Sequence, residues 1–158
     1  MGADVKIVVT ENAVNMVPVQ VLERMSGNPV QIEQFGRPVT WAPNYKSWGR
    51  GGDLLVIAPC TANMMGKLAN GIADDYLSTN TLSFDGPKMI AMNMNPKLYA
   101  NPAVQRNIKQ LKEDGYSFVA PESEDKPSKF PGVDAVIVAV CSALEKETSE
   151  KALQRLCL

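Results

Sequence analysis

The stretch that decides the fold is DLLVIAPCTANMMGKLANGIADDYLS, residues 53 to 78. An apolar run from Leu54 to Ala58 ends at Pro59, and small and polar residues and then a helical pattern follow it. In a parallel sheet, such a strand end and the free N–H groups of the next helix face one crevice, where α/β proteins bind nucleotides and phosphates. The stretch therefore predicts a strand, a binding loop and a helix.

Further strands and helices are predicted on either side of this stretch. We expect strands at 5–9, 88–93 and 117–120, and helices at 18–25, 62–71, 74–83 and 101–113. Residues 28–52 read as loop, and 121–132 as a mobile linker because it is polar and punctuated by prolines. Alternating strands and helices predict a single α/β domain over 1–158, a Rossmann-like parallel sheet with helices on both faces.

Composition excludes several classes of function. With 16 basic and 17 acidic residues the net charge is −1, which argues against binding to nucleic acid or to a membrane surface. No apolar run is long enough to span a bilayer, and no signal-peptide pattern follows Met1. The 3 cysteines lack metal-ligand spacing and predict reduced thiols in the cytoplasm. The chain has 0 histidines, so another polypeptide would have to supply any imidazole base.

The decisive stretch resembles the signature of the flavin-containing cysteine decarboxylases. That family includes phosphopantothenoylcysteine decarboxylase and the enzymes that decarboxylate the C-terminal cysteine of lantibiotic precursor peptides. The resemblance covers residues 2 to 120. It implies a flavodoxin-like fold, FMN as cofactor and oxidative decarboxylation of a substrate that ends in cysteine. It also implies a homo-oligomer, a trimer or dodecamer with active sites between subunits.

Polar and small residues after the first quoted strand suit a flavin. The hydroxyl of Thr61 and the amide of Asn63 can bond a polar cofactor edge, while Cys60 lets the backbone approach it. The resemblance also implies a hydroxyl residue near the flavin phosphate at position 10. The expected cofactor-binding residues are Thr10, Pro59, Cys60, Thr61, Asn63 and Asp74, with Asn70 and Asp75 as looser matches. The alternative is that Thr10, Thr61 or Asn63 only caps a helix.

A second constellation is MNMNPKLYANPAVQRNI, residues 92 to 108. It resembles the family motif Pro-x-Met-Asn-x-x-Met-Trp, which implies that Asn95 binds the substrate carboxylate, with Met94 beside it at the catalytic site. Asn93 matches the variant of the peptide-decarboxylating branch and is the other expected substrate-binding residue. An asparagine amide donates to a carboxylate without neutralising its charge, which suits a group that leaves as carbon dioxide. The alternative is a pair of turn-forming asparagines at a strand end.

The family's catalytic histidine position falls on Tyr45. A phenol with a pKa of about 10 is a poor base at neutral pH. Two hypotheses follow. The chain is an FMN-dependent decarboxylase of a C-terminal peptide cysteine or of phosphopantothenoylcysteine, in which Tyr45 takes the catalytic position. Alternatively, it is a non-catalytic flavin-binding or regulatory subunit that needs a histidine-bearing paralogue as its partner.

The C-terminal tail allows two interpretations. Family members begin with a strand, a small-residue loop and a helix that have no counterpart before Gly2. Residues 133–158 are either a C-terminal helix or, in a circularly permuted fold, that missing strand, loop and helix. In the permuted reading, 136–140 is the strand and Ser142 in the loop joins the cofactor-binding residues. The 5 β-branched residues among 133–140 favour a strand.

Overall fold

A computed structural model describes residues 2–33 and 52–156, with side chains up to Lys146. The strands are β1 (Leu55–Cys60), β2 (Lys88–Met92) and β3 (Tyr116–Phe118). The helices are α1 (Glu11–Val14), α2 (Val19–Ser26), α3 (Ala62–Ala69), α4 (Tyr76–Leu82), α5 (Pro96–Tyr99), α6 (Pro102–Glu113) and α7 (Val133–Leu156). The chain forms two compact units, the first within Met1–Gly51 and Gly71–Asp85 and the second within Gly52–Asn70 and Gly86–Leu158.

The second unit is built on a parallel sheet in the order β1-β2-β3. Leu55 pairs with Lys88, which in turn pairs with Tyr116. Side chains alternate between the two faces of a strand, yet four successive residues of β2, from Met89 to Met92, are all buried. A strand buried on both faces is typical of a parallel sheet that helices cover on both sides. The predicted α/β class is confirmed.

Each face of the sheet has its own helices. On one face, Met89, Ala91 and Val119 form a buried cluster against which α7 packs. The helix residues in this contact are Ala135, Val136, Ala139, Val140 and Ala143. On the other face, Lys112 of α6 lies with its Nζ 5.5 Å from the ring centroid of Phe118. α6 packs against β3, and α3 packs against α6.

The best-specified helix is α6. The Oδ1 atom of Asn101 accepts a hydrogen bond from the Ala103 N–H at 2.9 Å, and Pro102 occupies the first turn, where its missing N–H costs nothing. Val104, Ile108 and Leu111 lie on one face at helical spacing and are buried. The predicted helix at 101–113 is confirmed, as is the helix at 18–25, which corresponds to α2.

The prediction of a regular, buried strand at 5–9 is wrong. Val8 makes only an isolated parallel bridge with Gln31, in which the Val9 N–H donates to the Gln31 carbonyl at 2.9 Å. Val5 is 50% exposed. An apolar β-branched run becomes a buried strand only when neighbouring strands and covering helices enclose it, and a single bridge does not.

The tail is a helix over 133–156. The interpretation of these residues as a permuted strand, loop and helix is therefore wrong, and the interpretation as a C-terminal helix is correct. Val136, Val140 and Ala143 lie at helical spacing and contact the cluster around Met89, so tertiary packing overrides the β-propensity of the run. Ser142 lies inside this helix and is exposed, so the loop that would have made it a cofactor-binding residue does not exist.

Candidate cofactor and substrate site

Two polar loops leave the sheet side by side. Cys60 at the end of β1 pairs with Met92 at the end of β2. The Asn93 N–H then donates to the Cys60 carbonyl at 3.1 Å. The loop that starts at Thr61 and the loop that starts at Asn93 therefore begin at one edge of the sheet, the edge at which parallel α/β proteins bind ligands.

A bulge shapes the end of β1. The partners of Ile57 and Cys60 are Ile90 and Met92, so β1 uses one residue more than β2 over the same length. The extra residue falls at Ala58-Pro59, whose peptide bond is cis and whose side chains are both exposed. Bulges of this kind redirect side chains next to functional sites. Pro59 therefore faces solvent at the strand end, as a cofactor-lining residue must.

Thr61 begins helix α3. Its Oγ1 accepts a hydrogen bond from the Met64 N–H at 3.3 Å, and its carbonyl accepts one from the Met65 N–H at 3.0 Å. The capping alternative is therefore confirmed for Thr61. Capping uses the oxygen as an acceptor and leaves the hydroxyl hydrogen able to donate to a ligand. Asn63 is exposed, and its backbone N–H, like that of Ala62, has no carbonyl of its own helix to bond.

Cys60 is completely buried. Burial raises the pKa of its thiol from 9.0 to about 12. The thiol is therefore neutral at physiological pH and does not act as a nucleophile or as an anionic ligand. What Cys60 offers the site is a small side chain that lets the backbone of the loop start close to the sheet.

The second loop carries the expected substrate residues. Asn93 and Asn95 are exposed, whereas the side chain of Met94 is 7% exposed. The Oδ1 atom of Asn95 accepts a hydrogen bond from the Lys97 N–H at 2.9 Å and so caps α5. This bond orients the amide group, and its Nδ2 remains the donor that a carboxylate could accept from.

Residue 128 holds the second loop in place, which sequence reasoning missed. The Met94 N–H donates to the Ser128 carbonyl at 2.8 Å, and Ser128 is 2% exposed. Pro131 is also fully buried, and Phe130 packs against the cluster around Met89. A bond to a backbone carbonyl leaves no signature in the sequence. The segment 121–132 was expected to be a mobile linker, and Phe130 is its one large apolar side chain that could have indicated packing.

The remaining predicted residues either belong to the first unit or lie outside the described residues. Thr10 belongs to the first unit, where its Oγ1 accepts from the Ala13 N–H at 3.3 Å and caps α1. Asp74 is exposed and Asp75 caps α4, its Oδ1 accepting from the Ser78 N–H at 2.7 Å; both lie in the first unit. Tyr45 lies outside the described residues. The structure thus brings together the residues of the loops at Thr61 and Asn93.

Two further features are absent from the part of the chain that the structure describes. Among those residues, no helix combines the length and the apolar character that crossing a bilayer requires. Within the same residues, no group of three or more metal-ligating side chains converges.

Comparisons with known proteins agree with this geometry. The Flavoprotein family matches residues 1–145. The coenzyme A biosynthesis bifunctional protein CoaBC of Bacillus subtilis is 41% identical over 120 residues, which are 76% of this chain but only 30% of that relative's length. A probable phosphopantothenoylcysteine decarboxylase of Streptococcus mutans is 33% identical over 125 residues, 78% of this chain and 70% of that protein.

A solved structure extends the agreement to the fold. The FMN-dependent cysteine decarboxylase SpaF superposes with a TM-score of 0.76 at 33% identity, over 90% of this chain and 79% of SpaF. A phosphopantothenoylcysteine decarboxylase mutant superposes with a TM-score of 0.75 at 24% identity, which supports the fold alone. With its parallel sheet and with the family match over 1–145, the chain belongs to the Flavoprotein family and, within it, to the flavin cysteine decarboxylases.

Proposed function

We propose that the chain is an FMN-binding flavoprotein that oxidatively decarboxylates a cysteine, either at the C-terminus of a peptide or in phosphopantothenoylcysteine. The observation that carries the proposal is the common edge at which the loops at Thr61 and Asn93 leave the sheet. The similarity to the FMN-dependent cysteine decarboxylase SpaF supports this proposal, as does the similarity to the Streptococcus mutans decarboxylase.

The first loop fits the polar parts of FMN. Thr61 and Asn63 present an exposed hydroxyl and an exposed amide, and the N-terminal N–H groups of α3 point from the same turn. A helix N-terminus also favours a negatively charged group. Thr10 and Asp74 complete the proposed cofactor-binding set. FMN, when bound, would accept the two electrons that the oxidation of the cysteine releases.

The second loop fits the carboxylate of the substrate. Because the Lys97 N–H holds Oδ1 of Asn95 at 2.9 Å, the Nδ2 donors have a defined direction. A neutral donor binds the carboxylate but does not stabilise its charge as strongly as a cation would, so departure as carbon dioxide is not opposed. Asn93 offers a further amide on the same loop, and Met94 fixes the backbone between the two asparagines through Ser128.

The chain has 0 histidines and therefore lacks an imidazole for acid–base catalysis. We propose that Tyr45 takes the catalytic position, and we expect Tyr45→His to raise the rate of decarboxylation by about 10²–10⁴-fold, because an imidazole is a far better acid–base group at neutral pH. Steady-state kinetics of the purified variant measures the gain. Tyr45→Phe is the control, and a wild-type rate that neither substitution changes would show that Tyr45 has no catalytic role.

A second candidate function is supported by the 0 histidines in the chain. A homo-oligomer, which we propose as a trimer or dodecamer, cannot share a residue that every subunit lacks. A histidine-bearing paralogue could supply it across a subunit interface. In that case the chain is a flavin-binding or regulatory subunit, inactive by itself, and mixing it with the paralogue should restore turnover.

The deciding experiment uses purified protein, FMN, cysteine-ending peptides and phosphopantothenoylcysteine. We expect the fluorescence of FMN to be quenched on binding. In Asn63→Ala, the binding free energy of FMN should be weaker by about 0.5–1.5 kcal/mol. Mass spectrometry should then show substrate that has lost one carbon dioxide and two hydrogens. Binding of FMN without product favours the second candidate, and failure to bind FMN rejects both. A reducing, cytoplasmic setting is part of the proposal and agrees with the buried Cys60, which forms no disulfide.

A further inference from the structure

The helix that carries Asn95 at its start is too small to hold its own position. α5 has four residues and buries none of them, and Pro96, Lys97 and Leu98 are exposed. A helix of one turn is unstable by itself in water, because it forms too few hydrogen bonds to offset the entropy lost when it is ordered. Contacts from outside α5 must therefore fix its place.

The contact at the end of α5 comes from Gln105 of α6. Its Nε2 donates a hydrogen bond to the Tyr99 carbonyl at 2.6 Å. Tyr99 is the last residue of α5, where a carbonyl has no partner within its own helix. Gln105 is half-buried. The helix to which it belongs has 12 residues and buries three of them, Val104, Ile108 and Leu111. The bond therefore ties the short helix to one that the core holds.

Tyr99 connects Gln105 to Asn95. The Tyr99 N–H donates to the Asn95 carbonyl at 2.9 Å, and the Lys97 N–H donates to Oδ1 of Asn95 at 2.9 Å. Both oxygens of Asn95 therefore accept hydrogen bonds from α5. The direction in which the Nδ2 group of Asn95 points follows the orientation of this helix, because Nδ2 and Oδ1 belong to one planar amide.

We propose that Gln105 is a positioning residue for the decarboxylation. It fixes α5 through the Tyr99 carbonyl and so holds the amide donor of Asn95 where the substrate carboxylate can accept from it. The Met94 N–H, which donates to the Ser128 carbonyl at 2.8 Å, holds the same loop on the other side of Asn95. This role of Gln105 rests on the proposed function, because Gln105 acts only through Asn95.

A second glutamine of α6 provides a matched control. Gln110 is exposed, and its Nε2 donates to Oδ1 of Asp114, the C-cap residue of the same helix, at 2.8 Å. The two glutamines share a helix and a donor atom, but only the hydrogen bond of Gln105 leads to Asn95. Replacement of either glutamine by glutamate keeps the size of the side chain and removes the donor.

The first test compares the kinetics of Gln105→Glu and Gln110→Glu in the full chain with FMN, using a cysteine-ending peptide and phosphopantothenoylcysteine as substrates. We expect kcat/KM for decarboxylation to fall about tenfold in Gln105→Glu and to stay within about twofold of the wild type in Gln110→Glu. Quenching of FMN fluorescence should be unchanged in both variants. In the Asn95→Ala background, Gln105→Glu should have no further effect, because no amide is left to position. An equal fall in both backgrounds would overturn the proposal.

The second test measures the motion of α5 by NMR relaxation and needs no turnover. The order parameters of the Lys97 and Tyr99 amides should fall from about 0.85 in the wild type to below about 0.6 in Gln105→Glu, and should not change in Gln110→Glu. Gln105→Met keeps the length of the side chain without a donor or a charge, and it replaces Gln105→Glu in both tests if that variant fails to fold. If the wild type converts neither substrate, the proposed function fails and the order parameters alone decide on Gln105; they also decide if Asn95→Ala leaves no measurable turnover. The proposal is overturned if the order parameters or kcat/KM of the Gln105 variants match those of the wild type.

Discussion

The two loops of the candidate site start with the same local chemistry but are anchored differently. Thr61 and Asn95 each follow a strand and cap a helix with a side-chain oxygen. Behind Thr61, α3 has eight residues and buries Met64, Met65 and Leu68. Behind Asn95, α5 has four residues and buries none. The difference indicates a rigid loop on the proposed cofactor side and a more adaptable loop on the proposed substrate side.

The second loop is held through its backbone instead. The hydrogen bond from the Met94 N–H to the Ser128 carbonyl ties it to a segment that is itself buried at Ser128 and Pro131. An anchor of this kind fixes one point of the loop and leaves the exposed side chain of Asn93 free to adjust. Substrates of different size, such as a peptide and a pantothenoyl compound, would need such freedom in the proposed function.

The largest expected effect tests the anchoring itself. Met65 of α3 is completely buried, and Met65→Ala should lower the free energy of unfolding by about 2–5 kcal/mol. Leu98 of α5 is 45% exposed, so Leu98→Ala should cost no more than about 0.5 kcal/mol. Urea denaturation of both variants gives the comparison. Equal costs would show that the two loops are anchored alike.

The next effect separates capping from substrate binding at Asn95. Asn95→Ala should lower kcat/KM for decarboxylation by about 10²–10³-fold, as the loss of one positioned donor does, and leave FMN bound. Asn95→Ser keeps a side-chain oxygen that can cap α5 but lacks the amide donor, so it should be almost as inactive. Activity retained in the serine variant would assign Asn95 a structural role.

Much of the second unit could be predicted because its signals are local. The apolar run before Pro59, the Asn-Pro start of α6 and its buried residues at helical spacing each specify one element without reference to the rest of the chain. The tail could not be settled in this way. Its β-branched run fits a strand or a helix equally well, and only the packing of Val136 and Val140 against the sheet decides for the helix.

The candidate site was predictable to a similar extent. Thr61 and Asn95 were predicted to be functional, with capping as the alternative for Thr61 and a turn as the alternative for Asn95. In the structure both side chains cap a helix, and each keeps a group that can donate. The role of Ser128 could not be predicted, because a residue of any type has the backbone carbonyl that makes this hydrogen bond. The strand expected at 5–9 failed because burial depends on neighbours that a local pattern does not reveal.

A smaller effect is the pH dependence of stability that Cys60, at the start of the rigid loop, should cause. Burial raises the pKa of Cys60 from 9.0 to about 12 in the folded protein, so the folded state keeps the proton that the unfolded state loses above pH 9.0. Stability due to the neutral thiol is complete below that pH and is lost as the pH rises toward 12. Between about pH 8 and pH 10, the free energy of unfolding should fall by about 1.4 kcal/mol more in the wild type than in Cys60→Ala. Parallel pH profiles would contradict the burial of this thiol.

The smallest effect compares the two caps. Thr61→Ala should lower the free energy of unfolding by about 1 kcal/mol, because the Met64 N–H loses its acceptor at the start of a helix that the core requires. Thr61→Ser keeps the hydroxyl and should restore both stability and FMN affinity. Asn95→Ala should change the unfolding free energy less than Thr61→Ala does, because α5 buries no residue and can fray without disturbing the core. Urea denaturation of these variants, with and without FMN, tests the order. If Asn95→Ala is the more destabilising substitution, the second loop is the structural one and the contrast between a rigid and an adaptable side is reversed.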